Sequence, residues 1–502
     1  MSVTDNYIAP TKFIHWLKRE FLSKGLSSPF GIALLAIIAV ATGFLASQNL
    51  YGIAFAAVGA IAAAIVVYYC FFEPVTGYFI TMFIAFFAFY PNHILNIILP
   101  IPTFVELLTF ILLLGSYNSA KKLNLPGNSL LVTGISIVFI LYTIFNLIEF
   151  FNPDMQSRAG WLFRFKRYMV YVFVYIISYR LIDTPQRFRN FIKFWLYMGF
   201  LAAAYGCYQQ WFGMLPMEIS YIKSDPVEYK LMFQGGMLRK FSFLSDVVSF
   251  GVLSGSMAVV ALILAISEKR RKRKYKLFFG ALIMTLGMFY SGTRTTTVIL
   301  PAGMALYLFM TIRNKTTLIT VFASAIIAFF ILYVPVDNPV LNRVRSTFNS
   351  QDASLNVRDV NRHYIQPYIY GHPIGGGIAT TGTEGLNYNP DHVLAGFPPD
   401  SGLLKAALEM GYVGLAFTMF FYLVILYQCI DYYFRLKNPE YKTYVAAIAA
   451  ALFAMIVTQY AQVSIGQIPG AIFFFGTISM IKRLVEFDET EQSEAKNYLA
   501  VA

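Results

Sequence analysis

Residues Val132 to Leu147 read VTGISIVFILYTIFNL, an uncharged and almost wholly apolar run. With its flanks it is long enough to cross a bilayer as a helix. Similar runs recur along nearly the whole chain, among them Gly31 to Ala46 and Tyr444 to Val457. Hydrophobic residues make up 57% of the sequence and charged residues only 13%. Mean hydropathy is +0.59, a balance that excludes an ordinary soluble globule. The expected fold is an all-α polytopic membrane protein.

Spans are expected near residues 39, 61, 82, 110, 140, 173, 201, 254, 284, 304, 325, 421, 452 and 475, about 14 transmembrane helices. The range is 12–14, because Asn92 to Pro102 reads equally as re-entrant and the spans near 82 and 284 are short. With the N-terminus inside, residues 1–28 form a basic amphipathic segment on the cytoplasmic surface, and 29–334 hold spans 1–11. Residues 335–399 form one large extracytoplasmic loop, 400–485 hold spans 12–14, and 486–502 are a short polar cytoplasmic tail. Lys12 to Lys24 precedes no small-residue cleavage site, so no signal peptide is read there.

This orientation places 25 Lys and Arg inside and 14 outside, of the 39 in the chain, the bias that cytoplasmic loops normally carry. The net charge of +13 owes much to Lys269 to Lys274, a basic run directly after an apolar span. Such a run reads as a topology signal with anionic-lipid contact, not as nucleic-acid binding. Cys70, Cys207 and Cys429 lie singly in apolar stretches, with neither a disulfide framework nor a zinc spacing.

Outside, the cations change type: 9 Arg and 5 Lys, against 10 Arg and 15 Lys inside. The planar arginine fork suits phosphate and carboxylate, so this shift points to an anionic ligand. The outer arginines include Arg158, Arg164, Arg167, Arg239, Arg294 and Arg358. Arg294 interrupts two apolar spans within Ser291-Gly292-Thr293-Arg294-Thr295-Thr296-Thr297. Arg164 and Arg167 are one turn apart and share a helix face, which serves lipid phosphate or interfacial anchoring alike. Lys405 and Glu409, at i and i+4, read as a helix-surface pair. Asp400 follows Pro398-Pro399 in N-cap position before an apolar helix, and Gly375 to Gly377 read as a flexible turn.

Three motifs resemble those of the O-antigen ligase and polymerase superfamily of membrane glycosyltransferases. Ser291-Gly292-Thr293-Arg294 resembles the family's Ser-x-Ser-Arg-type turn. Arg358 followed by Gly371-His372-Pro373-Ile374-Gly375-Gly376-Gly377 resembles its arginine and His-Pro-x-Gly-x-Gly pattern. Asp400 to Gly414 is similar to its post-loop helix ending in Glu-x-Gly-x-x-Gly, and Arg239 before Phe241-Ser242-Phe243 fits a further family arginine. The resemblance covers residues 230 to 430 well and the rest by general architecture. Ligases of the family begin the post-loop helix with His-Asn; Asp400 stands there instead, as in polymerase-like members.

The resemblance implies a GT-C-like fold and a donor glycan on a polyprenyl diphosphate, attacked at its anomeric carbon by an acceptor hydroxyl. Arginines would hold the departing diphosphate: Arg294 is the leading candidate and is read as catalytic, Arg239 and Arg358 complete the central set, and Arg164 is a further, peripheral candidate. A positioned base would take the hydroxyl proton; Asp400 is the candidate, with His363, His372 and His392 as rivals whose default reading is a loop hydrogen bond. No Asp-x-Asp occurs in the chain, so a metal-independent reaction without cofactor is expected, with arginine as the counter-charge. The implied function is a polymerase joining lipid-linked oligosaccharide units on the outer face of a bacterial cytoplasmic membrane. Its expected partners are that lipid-linked oligosaccharide, membrane lipid and a chain-length regulator. A ligase acting on lipid A core or protein, and a flippase for the same lipid-linked units, are the alternative readings.

Overall fold

The protein is described here from a computed structural model, which covers residues 51–95, 99–119, 130–234, 236–312 and 353–501, with scattered positions between 318 and 345. The chain divides into two compact units, Met1–Tyr69 and Cys70–Ala502. Helix α1 (Tyr51–Phe72) supplies the described part of the first unit and runs on into the second.

Among its described residues the second unit is helical almost throughout. In order come α2 (Pro74–Phe87), α3 (Tyr90–Leu95), α4 (Ile101–Asn118), α5 (Gly134–Ile148), α6 (Arg158–Leu181) and α7 (Pro185–Trp211). Two short helices follow, α8 (Pro216–Ser224) and α9 (Pro226–Met232), with a minimal hairpin of β1 (Phe233–Gln234) and β2 (Met237–Leu238). Then come α10 (Val247–Ser267), α11 (Arg271–Tyr290) and α12 (Ile299–Thr311). Helices α13 (Ala353–Gly371) and α14 (Gly382–Tyr388) lie in the long loop, ahead of α15 (Gly402–Arg435), α16 (Pro439–Thr458) and α17 (Gly470–Val501).

Six helical stretches among the described residues are long and apolar enough to cross a membrane by length and composition. Twelve of the fourteen expected span centres fall on described helices; those near 39 and 325 lie outside the described residues, as do all of residues 1–50, the expected amphipathic segment 1–28 included. Within Asn92 to Pro102, Asn92 to Leu95 belong to the short helix α3 and Ile101 and Pro102 open α4, while 96–98 lie outside the described residues; Leu99 N–H donates to Asn92 Oδ1 at 3.0 Å. The tail after Phe487 continues α17 as helix, and Asp488 accepts from the backbone N–H groups of Lys437 and Asn438 between α15 and α16.

Local sequence explains where the helices begin. Thr133, Ser157, Thr184 and Asp246 each accept a backbone N–H in the first turn of α5, α6, α7 and α10. These are the oxygen-bearing residues that satisfy orphan donors at helix starts. Helix α10 has no polar stripe, and 83% of its apolar window is buried. A helix hydrophobic all round belongs at the centre of a bundle, and α10 packs on α7, α11, α12 and α16. Small residues let those backbones approach closely.

The end of the bundle opposite the loop is locked by Arg483. Its Nε donates to Tyr179 O at 2.8 Å, Nη1 meets Glu486 Oε2 at 2.9 Å, and the guanidinium lies 3.8 Å from the Tyr179 ring centre. Burying an arginine is tolerable only with such partners.

A Cβ on Gly206 would overlap the ring of Phe250, which is itself fully buried. Gly206→Ala is therefore expected to cost about 1–3 kcal/mol by overpacking, read as a lowered melting temperature in detergent. An unchanged melt would contradict the α7–α10 packing described here.

Candidate active site

The local geometry of the site begins with a break in α15. Gly411 has φ 61° and ψ −162°, so the helix stops at Met410 and restarts after it. Such a break strips nearby carbonyls of their helical donors. A segment of the long loop supplies replacements: Gly376 N–H donates to Leu408 O at 2.9 Å and Gly377 N–H to Glu409 O at 2.8 Å. In return Tyr412 N–H donates to Pro373 O at 2.9 Å. Approach is so close that a Cβ on Gly411 would strike the Pro373 carbonyl, and one on Gly375 would strike Gly411 N. The stretch from Gly375 to Gly377 is thus a staple in a helix break. This corrects the flexible-turn reading, and the N–H groups of Gly376 and Gly377 are engaged by carbonyls.

Upstream of the break, α15 is capped by Ser401, whose Oγ accepts Leu404 N–H; Asp400 stands one residue before the cap. The face of α15 that follows carries Lys405 and Glu409 into an ion network. Lys405 Nζ lies 3.1 Å from Glu384 Oε2 and 3.6 Å from Glu409 Oε1. Glu384, from α14, also meets Arg164 Nε at 3.3 Å and Arg167 Nη1 at 4.0 Å. Glu106 extends the network through Lys166 at 2.7 Å and Arg167 at 3.8 Å. Thr381 Oγ1 donates to Glu409 Oε1 at 2.5 Å.

Four cations thus face three carboxylates, leaving positive charge in excess. Side-chain exposure is only 15% for Lys405 and 5% for Glu409, so they are not a helix-surface pair. Charges this far from water persist only when paired and hydrogen-bonded. Burial alone pushes the Glu384 carboxyl up, but Arg164, then Lys405 and Arg167, outweigh it and hold the group below its ordinary value of about 4.5.

A cavity of about 170 Å³ opens beside this network. Arg164, Lys405 and Glu409 line it together with Tyr142, Tyr168 and Tyr171. The loop 459–469 borders it as well, tied to α15 by Ser401 Oγ donating to Gln459 O at 3.0 Å and to α6 by Tyr171 Oη donating to Gly466 O at 2.7 Å. One residue on, Gln467 Oε1 accepts from Ser249 Oγ at 2.5 Å, which joins the same loop to the start of α10.

The structure distributes the sequence-predicted residues over several neighbourhoods. Arg164 belongs to the network and lines the cavity. Arg294 opens a short 3₁₀ helix, Arg294–Val298, packed on α10, α11, α12 and α16. Arg239 braces that turn: Nε donates to Ser291 O at 3.1 Å, Nη2 to Thr293 Oγ1 at 2.6 Å and Nη1 to Leu231 O at 3.2 Å. Arg358 lies on α13, its side chain outside the described residues.

His372 and His392 meet at Tyr368, with the His372 ring stacked 4.0 Å from it. Burial pushes His392 down, against a smaller opposing pull from Asp154, and its Nδ1 accepts Leu394 N–H at 3.1 Å. His363 is exposed and its Nδ1 contacts Asp359 O at 2.8 Å.

Sequence reading passed over Glu384, Thr381, Glu106 and the functional side of Lys405 and Glu409. The Glu-x-Gly motif was the only signal for Glu409; nothing local marks Glu384, whose partners come from α6 and α15. Among the described residues, no group of three or more His, Cys, Asp or Glu is arranged to hold a metal ion.

A carboxylate whose folded value is depressed contributes stability above its unfolded value and loses it as pH falls. Acidification below about 4.5 should therefore destabilise the wild type partly through Glu384. Glu384→Gln is expected to melt lower at neutral pH and to lose less on acidification. Parallel melting curves for the two proteins across that range would contradict the network.

No curated protein matches the chain significantly. Residues 279–419, which hold α12, the loop helices, the staple and the first half of α15, match the family model described as O-antigen ligase. That stretch of the chain is therefore similar to the O-antigen ligase family, and the match supports the superfamily of O-antigen ligases and polymerases.

Proposed function

We propose that the protein is a glycosyltransferase that joins polyprenyl-diphosphate-linked oligosaccharide units on the outer face of a bacterial cytoplasmic membrane, as a surface-polysaccharide polymerase. The observation that carries this reading is the cation-rich network of Arg164, Arg167, Lys166 and Lys405 beside a cavity, with Lys405 and Glu409 inside the region matched to the O-antigen ligase family. In the reaction the bond from the anomeric carbon to the phosphate oxygen breaks, and a bond to the acceptor oxygen forms. The lipid diphosphate leaves with the electron pair and the acceptor hydroxyl gives up a proton.

Preorganised guanidinium and ammonium groups stabilise the charge that develops on the leaving group, most strongly where water is scarce. Arg164 is the cation of the network best set for this, being held at one edge by Glu384. Arg294 is the second diphosphate candidate, on a turn that Arg239 braces. Arg358 on α13 remains a third. Arginine takes the counter-charge role here, so the reaction is read as independent of metal.

The description of the matched family favours a second reading, a ligase whose acceptor is lipid A core or protein. Purified protein in liposomes separates the two. With lipid-linked repeat units as sole substrate, a ladder of longer chains and free polyprenyl diphosphate is expected. Growth only after lipid A core or protein is added would move the function to ligase, and no transfer in either case would overturn both. Arg164→Ala and Arg294→Ala should each lower the rate by about 10²–10³-fold. An Arg294→Ala protein that assembled glycan fully but failed to translocate lipid-linked units would indicate transport instead.

A further inference from the structure

We propose that the cavity beside Glu409 receives the acceptor sugar, and that Glu409 takes the proton from its attacking hydroxyl; this rests on the glycosyl-transfer reading above. At about 170 Å³ the cavity falls below the roughly 300–1,000 Å³ of sites that enclose larger ligands. It suits one ring, not a lipid diphosphate with its oligosaccharide. Its walls are amphipathic, with tyrosine rings from α5 and α6 beside the charged groups of α15. A neutral sugar ring presents the same mixture of apolar C–H faces and hydroxyls, and tyrosine accommodates both.

The walls are fixed before any ligand enters. Tyr171 Oη is tied to Gly466 O at 2.7 Å, Tyr168 Oη to Thr143 Oγ1 at 2.8 Å, and Gln459 Nε2 donates to Tyr422 Oη at 3.1 Å. A site held by such supporting bonds is preorganised for one orientation.

Glu409 is the carboxylate that lines this space. Thr381 Oγ1 donates to its Oε1 at 2.5 Å and Lys405 Nζ stands 3.6 Å away, so one edge of the carboxylate is fixed. Its backbone carbonyl is pinned by Gly377 N–H at the helix break. Lys405 is shared with Glu384 at 3.1 Å and so is not spent on Glu409 alone. Asp400, ahead of the Ser401 cap, is half-buried and is not among the cavity's lining residues, whereas the α15 residues before the break that line it are Gly402, Lys405, Ala406, Glu409 and Met410.

In the proposed step, the acceptor oxygen forms its bond to the anomeric carbon as the carbon–phosphate oxygen bond breaks. The hydroxyl proton passes to the Glu409 carboxylate, and the diphosphate carries the electron pair toward Arg164.

The test uses the full-length protein in liposomes with lipid-linked repeat units. A positioned base is worth about 10²–10⁴-fold, so Glu409→Gln should lower turnover by at least about 100-fold while binding of the labelled lipid-linked donor is unchanged. Ala406→Leu, which narrows the cavity, should raise the KM of a lipid-free acceptor glycan supplied beside the lipid-linked donor and leave donor binding alone. Should Glu409→Gln fail to accumulate in membranes, Glu409→Asp keeps the charge but withdraws it by one methylene, and a loss of at least about 10-fold in turnover is expected. Wild-type turnover in the variant that accumulates, or a loss lying wholly in donor binding, overturns the proposal. Wild-type protein that transfers no glycan at all overturns the glycosyl-transfer reading instead, so the two failures are distinguishable.

Discussion

The site depends on a helix that is forced to stop. Gly411 takes a left-handed backbone conformation inside α15, and Pro373 to Gly377 fill the gap with three backbone hydrogen bonds. In a low-dielectric interior an unsatisfied carbonyl costs far more than in water, so the break and the staple exist only together. Because they are joined, the long loop is anchored to the bundle at the residue that faces the cavity. The polar chemistry of the loop and the apolar scaffold of the helices meet there.

Around that anchor, charge is gathered and balanced. Arg164 and Arg167 from α6, Glu384 from α14, and Lys405 with Glu409 from α15 come from distant parts of the chain. Removing Glu384 would leave the largely buried Lys405 without part of its compensation, so the network locks the loop to the bundle. The network holds one cation more than its carboxylates balance, the charge that the proposed diphosphate would meet. The second arginine neighbourhood, around Arg294, is braced by Arg239 and connected through Gln467 to the loop that borders the cavity.

Much of the scaffold was legible in the sequence because hydrophobicity is a local property. Runs such as Val132 to Leu147 identify helices without knowledge of their neighbours, and the described helices sit where the runs are. The pairing of Arg164 with Arg167 on one face was legible for the same reason. Burial was not. An i, i+4 spacing of Lys405 and Glu409 is the same on a surface and in a cavity, and only contact with Glu384 and Thr381 decides between them. The glycines of 375–377 read as a turn, since their partners Leu408 and Glu409 lie beyond the next helix in the sequence. Arg239 reads in the sequence as a diphosphate candidate, and nothing local marks the bonds that its Nε, Nη2 and Nη1 make to Ser291, Thr293 and Leu231. Arginine in a loop suits an anion, but its N–H groups also donate to carbonyl and hydroxyl oxygens, and the sequence does not tell the two apart.

The central claim is one of location: the diphosphate of a lipid-linked donor is held at the loop end of the bundle, beside the cavity of Arg164 and Lys405. An experimental structure of the protein bound to a non-transferable polyprenyl-diphosphate glycan tests it most directly. The account expects the diphosphate in contact with Arg164, with the acceptor cavity beside Glu409 opening toward its anomeric carbon. A diphosphate seated at the opposite end, by Arg483, would contradict it.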